Sequence, residues 1–396
     1  MKRSVCVGAL AVACLASCSG PPPSIELVDT TSSPIQGGST DTTHLFAVGV
    51  VNIAQEQQNM VAFCSGVLLA PNLVATARHC VAQLSSTTID CTSSTFGPLY
   101  PANQIYATTD PVITSPMMGG KFLAVSSVIV PSGAGQTSVC GNDIALLILA
   151  ENVALPEYAE PVITPPMTYA QYQPVVTAIG YGIDTPTDTT GASAGTRRIK
   201  ENVKLTCIPN DTSFTDCFSD PTARQVLTAS EFVSGDSTCE GDSGSAAFEQ
   251  SNFNQGKWLA FGILSRGGVS TDGTTCEQPI YSRFDAWGSL IVSAAQQAAM
   301  AATAMHASYP LATWAGGTAV PPGSGTPNMV TYDDAGDCLS GPCAGDAGVK
   351  ATAGAGGCNV AAGSDVGRAE PAGALALVGL ASAVASGRRR RKRRRL

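Results

Sequence analysis

Thr238-Cys239-Glu240-Gly241-Asp242-Ser243-Gly244-Ser245 is the stretch on which the reading of this chain turns. A serine hydroxyl is a poor nucleophile near neutral pH, because very little of it is ionised. It serves acyl transfer when a base takes its proton and nearby donors wait for the oxyanion. Glycines beside such a serine let the backbone turn tightly, so that N–H groups converge on one point. Alone, the Gly-Asp-Ser-Gly string is equally an ordinary turn. The rest of the chain must supply a base, an orienting acid and a scaffold.

Three histidines are candidates for the base in this chain of 396 residues. His44 lies near the expected start of the folded domain and His306 in an Ala-rich segment. Both read as structural or exposed side chains. His79 closes the run from Cys64 to Cys80, in which two apolar stretches flank Pro71-Asn72, the pattern of a hairpin. It falls just after the second strand, beside a cysteine. The acid is sought in Asn142-Asp143-Ile144-Ala145-Leu146-Leu147-Ile148-Leu149. An aspartate heading an apolar strand is costly to bury unless it is paired or hydrogen-bonded. An imidazole N–H meets that need and fixes the tautomer that leaves the other nitrogen free as base. A strand-initiating Asx turn is the plain alternative for Asp143.

The order His79, Asp143, Ser243, in these local sequences, resembles the trypsin/chymotrypsin family of serine endopeptidases over roughly residues 35–302. An α/β-hydrolase would run Ser, Asp/Glu, His and would carry glycine where Ser245 stands. The resemblance implies an all-β chain of two six-stranded antiparallel β-barrels with a C-terminal helix. It implies Ser243 as nucleophile, His79 as base and Asp143 as its orienter, with the N–H groups of Gly241 and Ser243 forming the oxyanion hole. Ser265-Arg266-Gly267 resembles the segment that pairs with substrate, Ser265 also supporting Asp143. Ser237 falls at the floor of the specificity pocket. Ile35-Gln36-Gly37-Gly38 resembles the family's mature N-terminus, whose freed amine pairs with Asp242. Cys64–Cys80 and Cys239–Cys276 match two disulfides of the family. Cys207 and Cys217 do not fit the spacing of its third and are expected to pair with each other. Cys91 and Cys140 are candidates for a further bridge, which spacing alone does not establish.

Departures from the family pattern bear on function. Pro34 precedes Ile35, a bond that a trypsin-like activator should not cut. Arg266 stands where the family carries Trp, and Ser245-Ala246 where it carries Gly-Pro. Ser237 in place of a pocket aspartate leaves a neutral floor and favours apolar substrate side chains. Asp236, Glu240 and Glu277 remain acids that differently running loops could bring to the pocket. No metal or other cofactor is expected.

Composition agrees. The short alternating runs rich in Gly, Pro, Thr and Val suggest β structure, and one helix is expected from Asp285 to about Ala302. No internal repeat is evident. Of 22 basic residues, eight lie in Arg388–Arg395 and two are Lys2 and Arg3, leaving 12 against 30 acidic ones, about −18 for the body. That balance excludes a nucleic-acid footprint.

Both ends read as addresses. Residues 1–18 resemble an export signal, with Leu15-Ala16-Ser17-Cys18 similar to a bacterial lipobox and Cys18 its lipidated residue. An ordinary signal peptide with a chance cysteine is the alternative. Residues 19–34 form a tether or propeptide, 35–305 the protease domain, and 306–370 a Gly/Ala/Pro-rich disordered linker. Tyr332-Asp333-Asp334-Ala335-Gly336-Asp337 in that linker is too short a match for a calcium loop. Residues 371–396, an apolar helix and an Arg cluster, follow Gly357-Cys358 and resemble the sorting tails of myxobacterial surface proteins. Cys358 is then the processing residue and a sorting enzyme a partner; a permanent anchor is the alternative, although the apolar span is short for a full crossing. Export suits the cysteines. Two functions follow: an exported, surface-attached bacterial endopeptidase acting on proteins or peptides, or a catalytically silent binding module on the same fold.

Overall fold

The computed structural model describes residues 35–53, 63–86, 88–114, 119–133, 135–214, 217, 227–318, 331–332 and 338–340. The export signal with Cys18, the 19–34 segment with Pro34, Cys358 and the 371–396 tail lie outside the described residues.

Twelve strands carry the fold. The first six are β1 (Ala47–Asn52), β2 (Phe63–Ala70), β3 (Leu73–Thr76), β4 (Ile105–Thr108), β5 (Leu123–Ile129) and β6 (Ala145–Leu149), closed into a barrel in the order β1-β2-β3-β6-β5-β4. The second six are β7 (Val175–Gly180), β8 (Arg198–Cys207), β9 (Glu231–Ser234), β10 (Ala246–Glu249), β11 (Leu259–Val269) and β12 (Cys276–Arg283). They pair antiparallel in the order β8-β7-β10-β11-β12-β9, and the β8–β9 pairing closes the ring. In each barrel the first strand pairs with the second and fourth, and the third with the sixth. The chain therefore repeats one topology twice, although its sequence shows no repeat.

Strand sequences record what covers them. In β8, Val203, Leu205 and Cys207 are buried while Lys204 and Thr206 are exposed, the period-2 pattern of a strand with one wet face. β6, Ala-Leu-Leu-Ile-Leu, is buried at all five positions. One face fills the first barrel, and helix α1 (Gly288–Ala304) packs against the other. Ile291, Ala294, Ala295, Ala298 and Ala302 make up the buried stripe of α1, recurring at three- and four-residue steps. Asn72, in the β2–β3 turn, donates to the Ala298 carbonyl at 2.9 Å, so α1 clasps the first barrel.

The helix expected from Asp285 is there: Asp285–Trp287 form a tight 3-10 turn that leads into α1 at Gly288. One boundary differs from expectation. Residues 306–318, read as the start of a linker, continue the folded body: Tyr309 donates to Asn72 Oδ1 at 2.7 Å, and Leu311 and Trp314 pack on the core. Three large side chains hidden among Ala, Thr and Gly are enough to anchor this segment. No helix among the described residues is long and apolar enough to cross a membrane.

Candidate active site

The candidate base and acid come from the first barrel. β3 ends at Thr76, and a short 3-10 turn, Arg78–Cys80, swings His79 over the barrel rim. Asp143 lies just ahead of β6, the strand paired with β3, so the topology brings the two together across the sheet. His79 Nδ1 meets Asp143 Oδ2 at 2.8 Å, and the His79 backbone N–H donates to Oδ1 at 2.9 Å. Ser265 Oγ donates to Oδ2 at 2.6 Å. Asp143 is fully buried, while His79 keeps 20% of its side chain exposed. Burial alone would raise the Asp143 pKa, but the charge and hydrogen bond of His79 and the Ser265 hydroxyl outweigh it and hold the carboxylate below its ordinary range. Burial alone would lower that of His79; the Asp143 carboxylate prevails and raises it, with the Arg266 guanidinium pulling the other way.

Ser243 comes from the second barrel, in the loop between β9 and β10. Its carbonyl accepts the Ser65 N–H at 2.7 Å and lies 3.7 Å from Cys80 Sγ, next to His79. Ser65 Oγ donates to the Gly241 carbonyl at 3.1 Å and accepts the Tyr181 N–H at 2.9 Å. One residue of β2 thus holds the turn on both sides of Asp242. The hydroxyl of Ser243 and the imidazole of His79 are not directly bonded, a contact that is often long in unliganded enzymes and tightens with substrate.

The turn itself requires glycine. Gly241 and Gly244 have φ of +90° and +82°, and a Cβ on Gly244 would lie 2.2 Å from Thr76 Oγ1 and 2.3 Å from the Ser65 carbonyl. The N–H groups of Gly241 and Ser243 enter no backbone–backbone hydrogen bond among the described residues.

Asp242 turns away from this face. Its carboxylate accepts the N–H of Gly182 at 2.7 Å and of Cys239 at 2.9 Å. It fits because Gly180 and Gly182 lack side chains there: a Cβ would come within 2.2 and 2.6 Å of it. Burial pushes its pKa up to about 7, against the pull of the two N–H bonds and Arg198. Ile35 is an internal residue with a fully buried side chain, its carbonyl accepting the Gly38 N–H at 2.6 Å. Gln36 ties the same segment to the second barrel: Oε1 accepts the Cys276 N–H at 2.6 Å, and its carbonyl accepts Lys200 Nζ at 2.7 Å.

Around the expected pocket, Ser237 is fully buried and donates to the Gly235 carbonyl at 3.2 Å. Tyr281 is equally buried beside the hydroxyls of Ser234, Ser237 and Thr238, and burial pushes its phenol up to about 12. Asp236 is exposed, its Oδ1 accepting the Gln278 N–H at 3.3 Å, and Glu240 is exposed as well. Gly267 is exposed on β11, where a Cβ would lie 3.3 Å from the Glu277 carbonyl.

Four disulfides brace these loops: Cys64–Cys80, Cys91–Cys140, Cys207–Cys217 and Cys239–Cys276. Among the described residues the grouping of metal-type donors is Cys64, His79 and Cys80, but its two cysteines are spent in a disulfide and offer no thiolate. His44, read as structural, sits in an aromatic cage of Phe46, Phe253 and Trp258, with Nδ1 2.9 Å from Asp41. Glu231 was not singled out in the sequence. It is fully buried on β9 and forms a two-toothed ion pair with Arg266, with contacts of 2.5 and 3.2 Å. Its one signal was an acid heading the apolar pair Phe232-Val233, which needs a partner if buried.

The family model described as Trypsin matches residues 35–287, which is more than half of the chain, whereas no curated protein matches it. Its extent coincides with the two barrels and ends where α1 begins. On the family model and the twin barrels together, the chain belongs to the trypsin family of serine proteases.

Proposed function

We propose that this protein is an exported, surface-attached serine endopeptidase. Ser243 Oγ attacks the peptide carbonyl while His79 Nε2 takes its proton; the imidazolium so formed is stabilised by Asp143. The N–H groups of Gly241 and Ser243 receive the oxyanion, His79 then protonates the leaving amine, and water hydrolyses the acyl-enzyme by the same steps reversed. The observation that carries this reading is the bond from His79 Nδ1 to a fully buried Asp143, itself held by Ser265, with Ser243 pinned alongside by Ser65. Without such a partner a buried carboxylate is strongly unfavourable.

Substrates are proteins or peptides. Ser237 and Gly267 line the pocket, whose hydroxyl-rich, uncharged floor offers nothing to compensate a buried Lys or Arg, so an apolar residue before the scissile bond is preferred. Cleavage ahead of Ile35 would free an amine for Asp242, giving that buried acid a cation in direct contact. Attachment runs through Cys18 or through processing at Cys358. The four disulfides support an oxidising compartment.

Pro34 before Ile35 favours a second reading, a silent binding module that is never activated. Treating the exported protein with a fluorophosphonate probe separates the two. The expected result is labelling that Ser243→Ala abolishes; no labelling, or labelling that survives the substitution, removes the endopeptidase. N-terminal sequencing of the same material reports whether the mature chain begins at Ile35, at Cys18 or elsewhere.

A further inference from the structure

We infer that the Arg266–Glu231 ion pair is a positioning device for the triad acid, gripping the Asp143 loop from two sides; this rests on the endopeptidase reading of the site. In most proteins a buried pair of this kind adds little net stability, because desolvation offsets the Coulomb gain. Its worth here lies in what its remaining atoms hold.

On one side, Arg266 Nη1 donates to Ser265 Oγ at 3.2 Å. That bond occupies the oxygen and commits the hydroxyl proton to Asp143 Oδ2. On the other side, Glu231 Oε1 accepts the N–H of Gly141, two residues before Asp143, at 2.9 Å. Glu231 Oε2 accepts both the N–H and the hydroxyl of Thr228, at 2.8 and 2.9 Å. Ser230 Oγ closes the loop by donating to the Gly141 carbonyl at 3.1 Å. Gly141 is required at the joint: its φ is +81°, and a Cβ would sit 2.7 Å from Thr228 Oγ1 and 2.9 Å from Ser230 Oγ. The Cys91–Cys140 disulfide abuts the same joint, with Arg266 Nη2 3.8 Å from Cys91 Sγ. A closed circuit therefore runs from Asp143 through Ser265, Arg266 and Glu231 back to the Asp143 loop.

The circuit also sets charge. Facing His79 are Asp143 from the loop before β6, Arg266 from β11 with Glu231 from β9 behind it, and the chain neighbour Arg78. The Arg78 guanidinium is turned to the carbonyls of Pro131 and Gln136. Arg266 opposes protonation of His79, countering Asp143, and the Glu231 carboxylate lies directly against that guanidinium. The pair is a positioning element; neither residue is placed to touch the reacting atoms.

Because the chain has three histidines, the His79 ring proton can be assigned by His79→Ala and titrated by NMR without any catalytic readout. Arg266→Met is expected to raise the His79 midpoint and Glu231→Gln to lower it, since one removes a like charge and the other unmasks it. A merely structural role would move both the same way or neither. Arg266→Met/Glu231→Met removes both charges together, the exchange of a buried ion pair for apolar side chains that folds commonly tolerate. It should leave the midpoint near that of the parent, yet slow fluorophosphonate labelling above pH 8 by about tenfold or more, as a loosened Asp143 loop misplaces the base. Unchanged single-variant midpoints, or parental labelling by the double variant, would overturn the inference. Opposite midpoint shifts in a parent chain that never labels would keep this circuit and remove the endopeptidase reading.

Discussion

Asp143 has three neighbours and one exposed dependant. The carboxylate contacts the His79 ring, the His79 N–H and Ser265, and only the ring reaches solvent. Asp143→Asn keeps the shape but presents an amide N–H where a carboxylate accepted one, so the imidazole loses the tautomer with a free Nε2. In the triad template that exchange costs about 10⁴ in kcat; a comparable loss in peptide hydrolysis, with little change in KM, is the expected outcome here. The pH profile carries a second expectation. On the proposed mechanism His79 must be neutral to act as base, and its pKa lies above the ordinary 6.5 because Asp143 favours the imidazolium. Activity should therefore fall on acidification with a kcat/KM midpoint above 6.5, and a midpoint below it would mean that burial, not Asp143, prevails. Individual residues of this kind were the most legible in the sequence. His79, Asp143 and Ser243 stand in short local patterns that each imply a chemistry. Glu231 stands in none: its meaning depends on Arg266, 35 residues away, and on a loop that only folding brings near.

Elements explain why the local patterns could be read while their assembly could not. β6 reads as a buried strand from its uninterrupted apolar run, and α1 from its three- and four-residue alanine steps. The closure of β8 on β9, by contrast, depends on pairing across a register shift that no local signal encodes. The turn joining β9 to β10 shows how tightly an element can be specified. Gly244→Ala would force a methyl into Thr76 Oγ1 and the Ser65 carbonyl, at a positive φ that alanine resists. Loss of fluorophosphonate labelling and a clear drop in thermal midpoint are expected. Gly256, in a surface turn with φ of +71° and open space for a Cβ, is the control: alanine there should cost about 1 kcal/mol of backbone strain and leave labelling intact.

For the molecule as a whole, the uncleaved chain carries a buried acid that has no ion-pair partner in contact among the described residues, Arg198 acting on it only from a distance. Asp242 has a folded pKa of about 7 against 3.8 for an unhindered aspartate, so folding favours its protonated form. The sign follows: its contribution is complete below about pH 4 and is lost as pH rises through 7. Uncleaved protein is expected to melt at lower temperature at pH 8 than at pH 5, and Asp242→Asn to flatten that dependence. The difference is on the order of a few kcal/mol, at about 1.4 kcal/mol per unit. Equal melting profiles for the parent and Asp242→Asn would refute it. Cleavage ahead of Ile35, by supplying an amine, should abolish the difference.

Ser65 belongs to the first barrel yet holds Gly241 and Ser243 of the second, through two bonds at 3.1 and 2.7 Å. On the proposed mechanism the nucleophile sits on one body and its base on the other, so turnover would be a gauge of alignment. A slip of one barrel against the other, too slight to break a single strand pairing, already parts the reacting groups. Under gradually rising urea, catalysis should therefore vanish while far-ultraviolet circular dichroism still reports intact sheets. On the same reading, the seam would give any molecule that wedges between the barrels a way to silence the proposed activity without ever entering the cleft.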